Sequence, residues 1–285
     1  MVSIDSRFDR FRDQSKRTVA LCYHSIHADK PFATASPEMF ERHLAWLTEH
    51  CDVGEMSEEC VEEAARMRTS GDEKAVRPSV LLTFDDGYDD NFEFVFPTLI
   101  KYGVRATFFI TTGFVEQDPT TLARFKKERG CSAHMLKALD WGQIEEMQAA
   151  GMVFGAHSHT HRNLAGLDDA QALTELKTSK AILEEKLGQP IKLMAYPYGK
   201  PRVHFTNDRT VPLVRSCGYS LGAAVLHRAI RPSDSVMAVP RFFVARDDVA
   251  ALSDKVKGRA DAIGRWQEHA PILLQRVVSP SDFAH

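Results

Sequence analysis

Short apolar runs alternate with amphipathic stretches from residue 18 to about residue 244, and a chain so patterned has few ways to bury itself. "TVALCY" (18–23), "SVLLTF" (79–84), "ATFFIT" (106–111), "MVFGAH" (152–157), "IKLMAYPYG" (191–199), "YSLGAA" (219–224) and "VMAVPRFFV" (236–244) read as strands. "SVLLTF" is almost unbroken in apolar character, as expected of a strand covered on both faces in a parallel sheet. Between the strands lie helical patterns. "PEMFERHLAWLTEH" follows Ser36 as cap with Pro37 at the first position, and "DNFEFVFPTLIKYG" closes on Gly103 with Pro97 placed to kink it. "SEECVEEAARMR", "DWGQIEEMQAAG", "DDAQALTELKTSKAILEEKLG" and "TVPLVRSCG" complete the set. About seven strands separated mainly by helices predict an α/β fold, a closed or nearly closed (β/α) barrel rather than an open doubly wound sheet.

The same pass sets the domain organisation. Residues 1–17 form a polar N-terminal extension and 18–258 one domain. The polar segment 116–139 reads as an insertion, helical in part, after which the rhythm resumes. Residues 259–285 form a tail that either covers a barrel end or pairs with another copy of the chain, so a homo-oligomer stays open. At 285 residues, 44% hydrophobic and 26% charged, the chain can bury a sizeable core. Thirty-six basic against 39 acidic side chains, with no long basic block, exclude a nucleic-acid partner. Five scattered cysteines without a CxxC pair argue against a disulfide framework and a thiolate zinc site. No run has membrane-spanning length, and charges through the first 17 residues leave no apolar signal core. Cytoplasm is the expected location, or an extracellular or periplasmic one had an export signal been removed.

Two strand ends carry unusual chemistry. "LLTFDDG" places Asp85 and Asp86 side by side where an apolar strand stops. Adjacent carboxylates repel and resist burial, so they read either as turn residues, with Gly87, Asp89 and Asp90, or as one metal ligand beside one free base whose repulsion a cation offsets. "GAHSHTHRNL" follows another strand. His157 and His161 stand four apart, with His159 directed elsewhere, toward packing or toward holding a ligand in place. Asp86, His157 and His161 make a mixed carboxylate and imidazole set suited to zinc or another divalent ion. Trp141 is either a wall for a sugar ring or a core residue.

Taken in order, "LCYH", "TFDDG", "HSHTH", "AYPYG" and "VPR" resemble the polysaccharide deacetylase family, whose catalytic unit is the NodB homology domain, over about residues 18–245. The resemblance implies a distorted (β/α) barrel of about seven strands. It also implies Asp85 as general base, and Asp86, His157 and His161 as ligands of a divalent metal, Zn2+ first, with Co2+, Ni2+, Mn2+ or Fe2+ as alternatives. Tyr198 of "AYPYG" would shape the groove and offer its backbone N–H to a developing oxyanion. Two departures matter. Ala195 stands where many members have an arginine, which leaves Arg241 of "VPRFF" to steady the base. The C-terminal Leu-x-His motif is missing and His269 has the wrong surroundings, so the general acid falls to His24 of "ALCYHSI", as in the exopolysaccharide-modifying branch.

The activity implied is metal-dependent hydrolysis of N-acetyl groups on N-acetylhexosamine units of a saccharide, releasing acetate. A deacetylase of a small nucleotide- or lipid-linked sugar or other biosynthetic amide uses the same chemistry. A non-catalytic carbohydrate-binding relative is the third reading, disfavoured because sugar binding needs no metal beside a free carboxylate.

Overall fold

Every ladder among the described residues, 17–67 and 77–269 of the computed structural model, is parallel. The strands are β1 (Thr18–Tyr23), β2 (Asp52–Glu55), β3 (Ser79–Asp86), β4 (Thr107–Ile110), β5 (Val153–Ala156), β6 (Leu193–Ala195), β7 (Leu221–Ala223) and β8 (Phe242–Phe243). The helices are α1 (Pro37–His50), α2 (Glu58–Met67), α3 (Phe96–Tyr102), α4 (Thr112–Val115), α5 (Pro119–Arg129), α6 (Trp141–Ala149), α7 (Asp169–Leu187), α8 (Thr210–Ser216), α9 (Val249–Val256) and α10 (Asp261–His269). The sheet order is β7-β6-β5-β4-β3-β1-β8, with β2 also on β3. Ser79–Leu82 of β3 bond to β2 and Thr83–Asp86 to β4, so these two strands follow one another along one edge of β3 while β1 takes the other. The sheet curls until its edges meet: Ala224 N donates to Val239 O, Val239 N to Gly222 O and Leu226 N to Arg241 O, just ahead of β8. The architecture is the distorted barrel that the strand rhythm predicts.

Side-chain alternation sorts the strands into two cores. Val19, Leu21, Tyr23, Val80, Leu82 and Phe84 join Phe40 and Leu44 of α1, Leu99 of α3, Ile144 of α6 and Leu176 of α7 in the layer between sheet and helices. Ala20, Leu81, Phe109, Ala195, Leu221 and Val239 fill the barrel. Tyr23, Phe84, Phe108 and Phe154 stack strand to strand, with centroids 5.4, 5.0 and 5.7 Å apart. Each such fully buried ring contributes roughly 1.5–3 kcal/mol. The helix signals operate as read. Ser36 accepts from Met39 N, Asp140 and Gln143 form a capping box, and Gly103 and Gly188 end α3 and α7 in the left-handed region.

Three elements differ from the sequence reading. "DVGE" forms β2, a strand with no apolar alternation to announce it. The helix expected from residue 90 begins as a π-turn over Asn91–Val95 and becomes α-helical at Phe96, with Pro97 in the first turn, where no N–H is needed. "VMAVPRFFV" is a 3-10 turn at Val236–Ala238 followed by the two-residue β8, because Pro240 lacks the N–H that a continuous strand would donate. Of the predicted tail, α10 packs against the barrel: Gly264 N donates to His227 O at 3.1 Å, and Glu268 pairs with Arg228 at 2.7 Å. Residues 1–16 and 270–285 lie outside the described residues. No helix among the described residues is long and apolar enough to cross a membrane.

Candidate active site

Alternation along β3 sends Thr83 and Asp85 into the barrel and Phe84 out toward the helices. By strict pleat Asp86 would follow Phe84. It does not, because Asp86 has φ +78° and turns the chain so that both carboxylates gather at the barrel mouth. Asp85 is buried and held by Arg241, which is fully buried. Nη1 donates to Oδ1 and Nη2 to Oδ2, each at 2.7 Å, while Nη1 also reaches Thr83 Oγ1 at 2.9 Å and Nε reaches Ala224 O at 3.2 Å. The guanidinium lies 5.3 Å over the Phe109 ring. The Cys22 thiol donates to Asp85 Oδ2 at 3.3 Å. Burial pushes the Asp85 carboxyl up, but Arg241 and then His157 outweigh it and hold it at about 2. Asp85 is therefore ionised at neutral pH.

Asp86 is split between two environments. Its Oδ2 accepts from Arg129 Nη2 at 2.6 Å, whereas its Oδ1 is buried without a hydrogen-bond partner. Into that Oδ1 point His157 Nε2 at 3.6 Å and His161 Nε2 at 3.5 Å. The far side of the His157 ring fixes its tautomer, since Nδ1 donates to Ala195 O at 2.8 Å. His161 Nδ1 lies 3.3 Å from Glu128 Oε2. An orphaned carboxylate oxygen facing two imidazole nitrogens is costly alone and apt for a divalent ion, so these three side chains could hold one. Burial, partly opposed by Asp85, lowers the His157 pKa to about 4, which keeps the ring neutral as a ligand must be. Cys22, His24 and Asp85 form another close group, but both oxygens of Asp85 already serve Arg241 and burial pushes the thiol pKa up.

A cavity of about 440 Å³ opens over these groups, walled by His24, Phe32, Tyr88, Tyr198 and Arg246. A ring nitrogen of His24 lies within 4.8 Å of an Asp85 oxygen, and the ring meets Phe243 edge-on at 5.2 Å. Burial lowers its pKa, opposed by Asp86 and Asp85. The following loop is pinned by Asp90, which accepts from Ser25 Oγ, Ile26 N and Lys30 Nζ at 2.5, 2.9 and 2.9 Å, while Asn91 Nδ2 reaches His24 O at 3.0 Å. So Asp90 is more than a turn residue: it shapes the wall. Tyr198, at φ +61°, packs its ring 4.7 Å from His161 and donates its hydroxyl to Glu128.

The fold thus gathers His24, Asp85, Asp86, His157, His161, Tyr198 and Arg241 around one cavity. His159 turns away and bonds Thr112 Oγ1 at 3.0 Å. Trp141 is the first residue of α6, bonds Glu116 at 2.7 Å and packs on the outer core, outside the cavity walls. His269 ends α10, also away from the cavity. Glu128 and Arg129 were missed by sequence reasoning. They close α5 inside the 116–139 segment, in "RFKKERG", where charges look like a solvated helix end. Helical phase is the available signal: Thr121 and Phe125 are the buried residues of α5, and Arg129 is the next on that face.

The polysaccharide deacetylase family profile matches residues 72–222, more than half of the chain. A poly-beta-1,6-N-acetyl-D-glucosamine N-deacetylase of Staphylococcus aureus (strain MRSA252) is 26% identical over 223 residues, 75% of this chain and 69% of its own length. The structure of IcaB from Ammonifex degensii superposes with a TM-score of 0.66 at 25% identity, covering 85% of this chain and 97% of that one. Streptococcus pyogenes deacetylase PplD, in complex with acetate, shares the fold with a TM-score of 0.67 at 24% identity, over 84% of this chain and 98% of that one. The chain belongs to the polysaccharide deacetylase family and is a hydrolytic deacetylase.

Proposed function

We propose that the protein is a metal-dependent N-deacetylase that removes acetyl groups from the N-acetylhexosamine units of a poly- or oligosaccharide, with β-1,6-linked N-acetylglucosamine polymer as substrate class. The observation that carries this reading is the pairing of two differently equipped carboxylates: Asp85 locked by Arg241, and Asp86 with a bare oxygen facing two histidines. The likeness to the staphylococcal enzyme and to IcaB supports the choice of polymer.

Asp86, His157 and His161 are the residues that would hold a divalent ion, Zn2+ foremost. Bound there, the ion supplies Lewis-acid polarisation of the acetyl carbonyl. Asp85 accepts the proton of the attacking water, and Arg241 fixes the direction from which it does so. The Tyr198 backbone N–H faces the carbonyl oxygen as its negative charge develops. His24 gives a proton to the amide nitrogen as the C–N bond breaks; burial lowers its pKa, and the charges of Asp86 and Asp85 offset part of that fall. Acetate and a free amine leave.

Acetate release from synthetic β-1,6 N-acetylglucosamine oligomers, the monosaccharide and nucleotide-linked N-acetylglucosamine tests the reading. Faster turnover as the oligomer lengthens is expected. Cleavage of the nucleotide-linked sugar alone overturns the polymer assignment and favours a small conjugate.

A further inference from the structure

Arg129 presents a puzzle that the proposed chemistry does not absorb. Its guanidinium donates to Asp86 Oδ2 at 2.6 Å, so a cation already sits against a carboxylate whose other oxygen faces the two histidines. The contact is built, not incidental. Arg129 Nε donates to Tyr88 Oη at 2.9 Å, the guanidinium lies 5.4 Å over Phe125, and the side chain is only 20% exposed. The preceding residue does the opposite job, setting the Glu128 carboxylate 3.3 Å from His161 Nδ1.

We propose that Arg129 is a positioning residue that reserves Asp86 Oδ2 and confines this carboxylate to one-oxygen coordination, while Glu128 sets a negative charge beside His161. The proposal rests on the reading of Asp86, His157 and His161 as metal ligands. Its physical content is a division of oxygens. A free carboxylate can close on an ion with both oxygens, whereas one engaged by an arginine fork keeps one of them occupied. One oxygen and two imidazoles leave positions for water and for the acetyl carbonyl; a second carboxylate oxygen would fill one of these. Arg129 also places a positive charge beside a cation site and so weakens binding there, while the negative charge of Glu128, 3.3 Å from His161 Nδ1, strengthens it. Neighbours in sequence therefore act on the ion with opposite sign.

That sign separates the proposal from a merely structural role. Co2+ alone is titrated into chelator-stripped protein, with affinity read by competition with a chromophoric chelator and coordination by the visible absorption of the bound ion. Arg129→Met keeps the packing on Phe125 and removes the fork. It should bind Co2+ more tightly, by roughly 10- to 100-fold, with weaker visible bands as the coordination number rises. Arg129→Lys keeps the charge and should stay near the parent affinity. Glu128→Gln should bind Co2+ more weakly. Unchanged or weaker affinity in Arg129→Met, or an unchanged spectrum, overturns the proposal. His161→Ala serves as the separate control: if it retains stoichiometric Co2+, the metal-ligand reading itself fails, whereas loss of Co2+ there with a silent Arg129→Met removes only this inference.

Discussion

Two adjacent aspartates illustrate how far neighbours in sequence can diverge in chemistry. Asp85 keeps the pleat, enters the barrel and meets Arg241; Asp86 breaks it at φ +78° and meets the histidines. Since Arg241 and Asp85 are buried together, removing one strands the other. Arg241→Met should cost about 3–5 kcal/mol of stability in urea unfolding and raise the Asp85 pKa from about 2. Equal stability in parent and variant would contradict the ion pair. His24 has a different signature. His24→Ala should slow acetamide hydrolysis by a factor on the order of 10² or more yet spare an ester with an activated phenolate leaving group, because only an amine must be protonated as it departs. Equal losses on both substrates would assign His24 to binding. The carboxylates and outer histidines were legible in the sequence because strand-end motifs carry them. Arg241 needed a family pattern, and Cys22, a thiol on Asp85, had no signal beyond strand parity.

At the scale of elements, the end of β3 and the loop just past β5 place the carboxylates and the outer histidines, while other loops and α5 set the cavity walls. "SVLLTF" was readable because an unbroken apolar run fits a strand covered on both faces. β2 was not: it is carried by its neighbour β3 rather than by its own side chains, of which none is fully buried. The 116–139 segment reads as an excursion for a similar reason, since what Glu128 and Arg129 touch is far away in sequence. Gly155 in β5 shows how closely the elements are fitted. A Cβ there would stand 2.7 Å from the Phe109 ring and 2.8 Å from Leu193 O, and Phe109 underlies Arg241. Gly155→Ala should cost about 1–3 kcal/mol and lower the deacetylation rate by displacing that ring. Gly166→Ala, with open space around the added atom, is the matched control and should leave both unchanged. Activity and Tm measured on the two variants decide it.

The whole molecule carries a cost at low pH that its histidines set. His43 and His227 lie buried away from the catalytic groups, and burial lowers both pKa values, His227 from 6.5 to about 3. The unfolded chain therefore binds more protons than the folded one between about pH 3 and 6.5, so stability is complete above that window and is lost as pH falls through it. Each histidine that stays neutral contributes about 1.4 kcal/mol per pH unit to the slope. Asp85 adds a second loss in the same direction as pH falls from 3.8 toward 2. Unfolding free energy measured across the acid range should decline steadily below pH 6.5, and His227→Gln should flatten the decline. Parallel curves for parent and variant would remove His227 from the account.

The shared edge of β3 reaches beyond architecture. β3 is hydrogen-bonded to β2 then β4 over its whole length along one side, and to β1 along the other from Ser79 to Phe84. To free its backbone, three neighbours must let go together, so its amides belong to the last part of the molecule to exchange with deuterium. Asp85 and Asp86 end that strand. Both carboxylates therefore follow directly on a segment that opens rarely, whereas the cavity walls supplied by the Ser25–Ala35 loop and the end of α5 lie outside the strand ladders and should exchange faster.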